Sequence, residues 1–247
     1  MGDVVRSEWL KLRTARANLV LVFVALGVPV LLTALVAGTT PVDSLAEDNL
    51  ASRFSLVMAG SGTAGTLVAV LGVLVIGSEF RHNTIRVTFA AVPRRLRVHA
   101  AKIVTVAAVG LVVGVMAVVS SYVVGSAILG ARGYGLSLSD GGVSRSLVGA
   151  ILLTVLYGLV GLGVGTLMRA TAGAITLVVV YPILVESLLV TFVPSVGKFL
   201  PFAAGSALQS PEGATDVLSP LAGGAIFVGF TAVVLVVADR VLAARDA

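Results

Sequence analysis

Six long apolar runs, almost free of charge, constrain this chain more than any other feature. Across all six runs of the 247-residue sequence, Glu186 is the one ionisable residue. Each run has roughly 20 residues, the length that a helix needs to cross a ~30 Å hydrocarbon core. The runs lack the strict alternation of barrel strands, and a helix satisfies its own backbone in lipid. The predicted spans are about 17–38, 54–77, 103–129, 147–168, 171–193 and 218–238.

The composition supports the same conclusion. Hydrophobic residues make up 57% of the chain and charged residues 12%, with a mean hydropathy of +1.08, whereas soluble domains are about 25% charged. We therefore expect an all-α membrane protein with one transmembrane domain over residues 1–247, multi-pass in the plasma membrane and in contact with the lipid bilayer. The first run is longer than a signal-peptide core of about 7–15 residues, so we expect it to be retained.

The positive charges predict the orientation. Of the 17 Lys and Arg residues, four precede the first span, six lie in residues 78–102, one follows the fourth span and two lie in the tail. The loops on the other side hold the remaining four, and acidic residues there balance them. We therefore predict that both termini are cytoplasmic. The high pI of about 10.1 is explained by this orientation and not by nucleic-acid binding.

The sequence lacks the residues that several kinds of chemistry require. The chain has no cysteine, so disulfides and thiolate metal sites are excluded. None of its three lysines stands in a G-x-x-x-x-G-K-[ST] phosphate loop. His82 and His99 fall in the loop 78–102, away from any serine within a span, and there is no H-E-x-x-H motif. We expect no catalytic residue, no metal and no cofactor in this chain.

Two segments outside the spans have a recognisable pattern. Residues 1–16 place Val5, Trp9 and Leu12 on one helical face, which is typical of a helix lying in the membrane interface with Trp9, Lys11 and Arg13 as anchors. A simple orienting basic segment is compatible with the same residues. The stretch 194–220 contains four prolines, and we expect broken structure that caps the outer side.

Within the spans, Glu186 and the glycines attract attention. A charged carboxylate in hydrocarbon costs several kcal/mol, so we expect Glu186 to contact another helix or an internal cavity, as a structural acid or on a substrate path or gate. The G-x-x-x-G pairs Gly110/Gly114 and Gly161/Gly165 predict close helix packing within the bundle.

The loop after the second span carries the most specific pattern. It reads G-S-E-F-R-H-N-T-I-R from residue 77 and A-V-P-R-R-L-R from residue 91. This resembles the type-2 export family of ATP-binding-cassette (ABC) permeases, in which a glutamate, a glycine-threonine turn, a proline and basic residues join helices 2 and 3. Asn83 stands where that family has glycine, and asparagine tolerates a left-handed backbone. S-E-W-L-K-L-R-T from residue 7 is similar to the N-terminal helix of actinobacterial members, and F-L-P-F from residue 199 to the outer loop.

The resemblance implies a cytoplasmic coupling helix between helices 2 and 3 that docks onto a separate ATP-binding cassette ATPase subunit, which holds ATP and Mg. The residues expected to serve this coupling are Glu79, Phe80, Arg81, Thr84, Ile85, Arg86 and Phe89, with Val87 as a further apolar anchor. A loop that merely orients the protein would explain the arginines but not the apolar residues beside a carboxylate.

The resulting expectation is a permease subunit that exports a lipophilic or amphipathic substrate and pairs with a second permease copy, as a homodimer or a heterodimer. An ion-gradient-driven secondary transporter is one alternative, although it favours repeat symmetry and further ionisable residues in the spans. A non-transporting membrane sensor or assembly protein is the other.

Overall fold

A computed structural model describes residues 2–41, 50–82, 84–91, 95–211 and 217–244, apart from the side chains of Arg86, Phe89 and Ala91. The regular secondary structure of the described residues is helical, with no β-strand among them. Six helices are long and apolar enough to cross a membrane: α2 (Arg16–Thr39), α4 (Ser61–Arg81), α6 (Arg95–Ala131), α7 (Val143–Met168), α8 (Thr171–Phe192) and α11 (Pro220–Ala244). The predicted all-α class with six spans is confirmed.

Shorter helices connect these spans. α1 (Gly2–Thr14) precedes the first span, and α3 (Leu50–Val57) lies before the second. α5 (Thr84–Ala91) joins α4 to α6. α9 (Pro194–Gly197), α10 (Pro201–Ser206) and a 3-10 turn (Ala207–Gln209) follow α8. α1, α5 and the last turn of α11 lie at the same end of the bundle, which we call the basic end.

The helices α4 and α7 form the centre of the bundle. An ideal Cβ at Gly161 would lie 1.9 Å from the Ala69 carbonyl oxygen, and one at Gly72 would lie 2.2 Å from the Gly158 carbonyl oxygen. No side chain fits at these positions, so the two backbones approach closely. On α6, Gly110 and Gly114 likewise face α7. The predicted role of the G-x-x-x-G pairs in packing within the bundle is confirmed.

The second span begins later than predicted. Instead of one helix from residue 54, α3 ends at Val57 and a turn over residues 58–60 precedes α4. An ideal Cβ at Gly60 would lie 1.9 Å from the carbonyl oxygen of Pro29 in α2, and the Gly60 N–H donates to Thr33 Oγ1 at 3.3 Å. Hydropathy does not reveal this break, because its polar groups are satisfied by a neighbouring helix.

The third span begins earlier than predicted. α6 has 37 residues and starts at Arg95, eight positions before residue 103. At 1.5 Å per residue it is about 55 Å long, so it extends beyond a hydrocarbon core. Lys102 and His99, predicted to lie in a loop, are thereby helical and fully buried. Their charged and polar partners, described below, make this continuation of the helix possible.

The fifth span changes its winding at Pro182. Residues Tyr181–Glu186 form a π-helical turn inside α8, and the Ser187 hydroxyl donates to the Pro182 carbonyl at 3.2 Å. Proline lacks an N–H and disrupts the ordinary α-helical bonding, which a π-turn accommodates. The turn leaves Glu186 facing the protein, although α8 is the least buried of the six spans, with 11% of its most apolar 18-residue window buried within this chain.

The segment after α8 is broken, as predicted, within the residues described. Phe202 in α10 packs into a ring cluster, with its centroid 5.0 Å from that of Tyr157 and 5.3 Å from that of Phe227. An ideal Cβ at Gly149 would lie 1.8 Å from the Leu208 carbonyl oxygen. The short helices therefore sit tightly against α7 and α11 at the end of the bundle opposite the basic end.

Candidate functional site

The N-terminal helix α1 lies against the basic end of the bundle. Leu12 is buried in one apolar cluster with Ile76 of α4 and Ile85 of α5. Glu8 is buried as well, whereas Trp9 is 38% exposed. The predicted helix is confirmed, and its outward Trp9 and Arg13 remain available for the predicted interfacial anchoring.

Four charged side chains, Glu8, Lys11, Glu79 and Lys102, form one closed set that we call the ion cluster. Lys102 Nζ lies 2.6 Å from Glu8 Oε2 and 2.8 Å from Glu79 Oε1. Lys11 Nζ lies 2.7 Å from Glu8 Oε1 and 2.8 Å from the same Glu79 oxygen. Two acids and two lysines balance, so the ion cluster is neutral and joins α1, α4 and α6.

Burial determines how these pairs act. The Lys102 side chain is fully buried and those of Glu8 and Glu79 are almost so, while that of Lys11 is 44% exposed. Burial lowers the pKa of Lys11, but hydrogen bonds and attraction from Glu79 and Glu8 outweigh it and raise the pKa above 10.5. Removing one partner of a buried pair leaves an uncompensated charge, which is strongly destabilising. The ion cluster therefore fixes three helices relative to one another.

The short helix α5 is attached to the same assembly. Ile85 is 4% exposed, and Lys11 Nζ lies 3.5 Å from Thr88 Oγ1. Val87, in contrast, is 70% exposed and Thr84 is exposed too. One face of α5 is thus held by the protein, and the other presents an apolar side chain outward.

The residues predicted to serve coupling therefore separate into two groups. Glu79 and Ile85 are buried, and Phe80 is half-buried beneath the Arg169 guanidinium, 5.2 Å from its ring centroid. Arg81 and Thr84 are exposed. The side chains of Arg86 and Phe89, and residues Asn83 and 92–94, lie outside the described part of the chain. Glu79, Phe80 and Ile85 pack against other residues of this chain. Their effect on a partner subunit would therefore be indirect, through the position of α5.

A cavity of about 290 Å³ lies between α1 and α5, beside the ion cluster. Glu8, Lys11 and Glu79 line it together with Thr84 and Thr88. The Glu79 Oε2 atom is buried and has no hydrogen-bond partner among the described residues. The cavity gives this face of the ion cluster a route to solvent that the fully buried Lys102 lacks.

A second polar contact fastens the last span to the basic end. His99 Nδ1 of α6 pairs with Asp239 Oδ1 of α11, and His99 Nε2 lies 3.5 Å from Thr166 Oγ1 of α7. Arg95 donates to the Leu242 carbonyl at 3.2 Å. These contacts connect α6, α7 and α11.

At the end of the bundle opposite the basic end, Glu186 is 2% exposed and does not face lipid, as predicted. Its carboxylate accepts the backbone N–H groups of Phe202 at 3.3 Å and Ala203 at 2.7 Å. It also lines a cavity of about 360 Å³, together with Lys198 and Tyr157. Glu186 thus ties α8 to α10, and its role on a substrate path or gate remains a prediction.

Sequence reasoning did not identify four of these residues: Glu8, His99, Lys102 and Asp239. For Glu8 the sequence did contain a signal, because Glu8 and Leu12 share the face of α1 that is buried. Lys102 lies at the edge of an apolar run, where a basic residue is ordinarily attributed to orientation alone. Pairing across α1, α4 and α6 depends on contacts up to 94 residues apart in sequence, which no local pattern reveals.

Comparison with known proteins identifies the family of this chain. Residues 4–202 match a family model described as ABC-2 family transporter protein, and this range includes α5 and all four residues of the ion cluster. A comparison with curated proteins gave no match. Since the family model covers most of the sequence, the chain belongs to the ABC-2 family of transporter proteins.

Proposed function

We propose that this chain is the membrane-spanning subunit of an ABC exporter whose ATP is hydrolysed by a separate subunit. Membership of the ABC-2 family and six apolar helices establish a transporter membrane domain. No G-x-x-x-x-G-K-[ST] sequence occurs in these 247 residues, which supports an ATP-binding site on a separate subunit. ATP and Mg belong to that partner.

The observation that carries the proposal is the way α5 is mounted. Its inner face is fixed by Ile85, 4% exposed, and by the contact of Lys11 with Thr88, while Val87 stands 70% exposed at the basic end. A partner that moves α5 therefore moves residues attached to the ion cluster, which joins α1, α4 and α6. Apolar residues that become desolvated in a pocket contribute most to such interfaces.

Export proceeds, in this proposal, between two six-helix subunits, each bound to one ATPase. The basic residues around α5 orient the basic end to the cytoplasm, where the ATPase resides. The second subunit is another copy of this chain or a related permease. The substrate class that suits the apolar spans is lipophilic or amphipathic.

The test is copurification with a candidate ATPase that carries a G-x-x-x-x-G-K-[ST] sequence, in wild type and in Val87→Asp. A charge placed in a desolvated contact is expected to reduce the retained ATPase about tenfold or more. The matched control is Leu96→Asp, which alters an apolar residue that is 56% exposed at the same end but outside α5. Full retention and full substrate-stimulated ATP turnover in Val87→Asp would exclude α5 as the coupling element.

A further inference from the structure

A groove with two arginines lies at the basic end, between the last turn of α4 and the first turn of α8. Its volume is about 550 Å³, and it shares no lining residue with the cavity beside the ion cluster. Both arginines stand where spans end, so the groove lies at the predicted inner boundary of the membrane. Its principal lining residues are Leu74, Phe80, Arg81, Arg169, Thr171 and Ile175.

Arg169 occupies an unusual backbone position. It follows α7 with φ of 54°, and it is the one non-glycine residue with positive φ in the part of the chain that the structure describes. Helices commonly end with glycine there, because other residues are strained in the left-handed region. Its guanidinium lies over the Phe80 ring, and its Nε is buried without a hydrogen-bond partner among the described residues.

The positive charge in the groove is not balanced by the described part of the chain. Neither Arg81 nor Arg169 forms an ion pair with a described carboxylate, and Glu79, two residues from Arg81, is committed to Lys11 and Lys102. Surplus guanidinium groups in a concave site attract an anion, and their planar donors suit carboxylates and phosphates.

The first turn of α8 adds to the positive electrostatic potential of the groove. Its N-cap Ala170 provides no side-chain cap, and Thr171 and Ala172 line the groove. Unpaired N–H groups at a helix N-terminus favour a negative charge. An ideal Cβ at Gly77 would lie 2.6 Å from Thr171 Oγ1, so the absence of a side chain at Gly77 allows this helix start to sit directly on α4.

We propose that this groove binds a phosphate group, with the arginines as its ligands. The apolar walls, Leu74 and Ile175, lie one to two turns further into the membrane along α4 and α8, where an acyl chain would run. That combination suits the headgroup of an anionic phospholipid. A soluble phosphorylated compound presents the same chemistry without the chain. The proposal does not depend on coupling to an ATPase.

The test uses the full-length chain, purified in detergent together with any subunit that accompanies it. Native mass spectrometry would count bound phosphatidylglycerol and, in parallel, phosphatidylcholine with the same acyl chains. The groove variant is Arg81→Gln with Arg169→Gly, since glycine adopts a φ of 54° without strain. The matched control is Arg97→Gln with Arg240→Gln, which removes two exposed charges at the same end.

We expect phosphatidylglycerol to bind roughly tenfold more tightly than phosphatidylcholine, with this preference lost in the groove variant and kept in the control. A third arm adds millimolar inorganic phosphate. Complete displacement of phosphatidylglycerol would identify a soluble phosphate compound as the ligand, and persistence would identify the lipid. Equal lipid preference in the groove variant and the control, whether kept or lost, would overturn the proposal, because overall charge and not the groove would then govern binding.

Discussion

Replacing Lys102 with methionine removes one charge from the centre of the ion cluster and keeps a side chain of similar length. Lys102 is fully buried, with Nζ 2.6 Å from Glu8 and 2.8 Å from Glu79. The variant leaves two nearly buried carboxylates with Lys11 alone, so the neutral cluster acquires a net charge of about −1. Breaking a buried pair in this way costs about 3–5 kcal/mol.

The matched control is Lys11→Met, which removes the other positive charge that pairs with the same two carboxylates. The Lys11 side chain is 44% exposed and lines the cavity of about 290 Å³, so solvent reaches the position that its ammonium leaves. Exposed ion pairs contribute about 0–1 kcal/mol. In a chain of this length each kcal/mol corresponds to about 2–4 °C of melting temperature. We therefore expect a fall on the order of 10 °C for Lys102→Met and of a few degrees for Lys11→Met.

The assay heats detergent-solubilised protein fused to a fluorescent reporter and measures the monodisperse fraction by size-exclusion chromatography. A second variant, Lys102→Met with Glu8→Gln, restores neutrality and should recover several degrees. Equal shifts for the two lysines, or no recovery on neutralising Glu8, would refute the argument that desolvation makes Lys102 the critical member of the ion cluster.

Two further predictions concern Glu186 and the orientation. Glu186→Gln should lower the melting temperature, because the amide has one acceptor oxygen for the two N–H groups of Phe202 and Ala203, and an unpaired buried N–H costs about 1–3 kcal/mol. An unchanged melting curve would show that the carboxylate does not hold α10. Ala90→Cys, an exposed position in a chain that has no cysteine, should react with an impermeant thiol reagent only after the cells are opened. Labelling in intact cells would reverse the predicted orientation.

Corrections to the sequence-based spans follow from contacts between helices. Gly60 lies against the Pro29 carbonyl of α2, and this contact accompanies the break before α4 that hydropathy does not detect. The eight extra residues of α6 include Lys102 and His99, which are tolerated because Glu8, Glu79 and Asp239 come from other helices. In each case, whether a polar or small residue belongs to a span can be predicted only when the residue that it contacts is known.

Local properties of the sequence determined the class of the protein. The number of spans depends on the length and hydropathy of each run, and a helix in lipid satisfies its own backbone without help from distant residues. The pattern from Gly77 to Lys102 indicated the family. The helix α5 lies within this segment, and its coupling role stays a prediction. The lone acid Glu186 was expected to avoid lipid on energetic grounds alone.

The tertiary structure decided which residues of the predicted coupling segment are buried and which are exposed. Glu79 of α4 and Ile85 of α5, expected at a partner's surface, are instead buried within this chain, and Val87 is left exposed. The groove at Arg81 and Arg169 exists only because α8 begins against Gly77 of α4. Burial and charge pairing depend on residues brought together from distant parts of the chain, so the sequence specified the chemical groups and the packing of the helices assigned their partners.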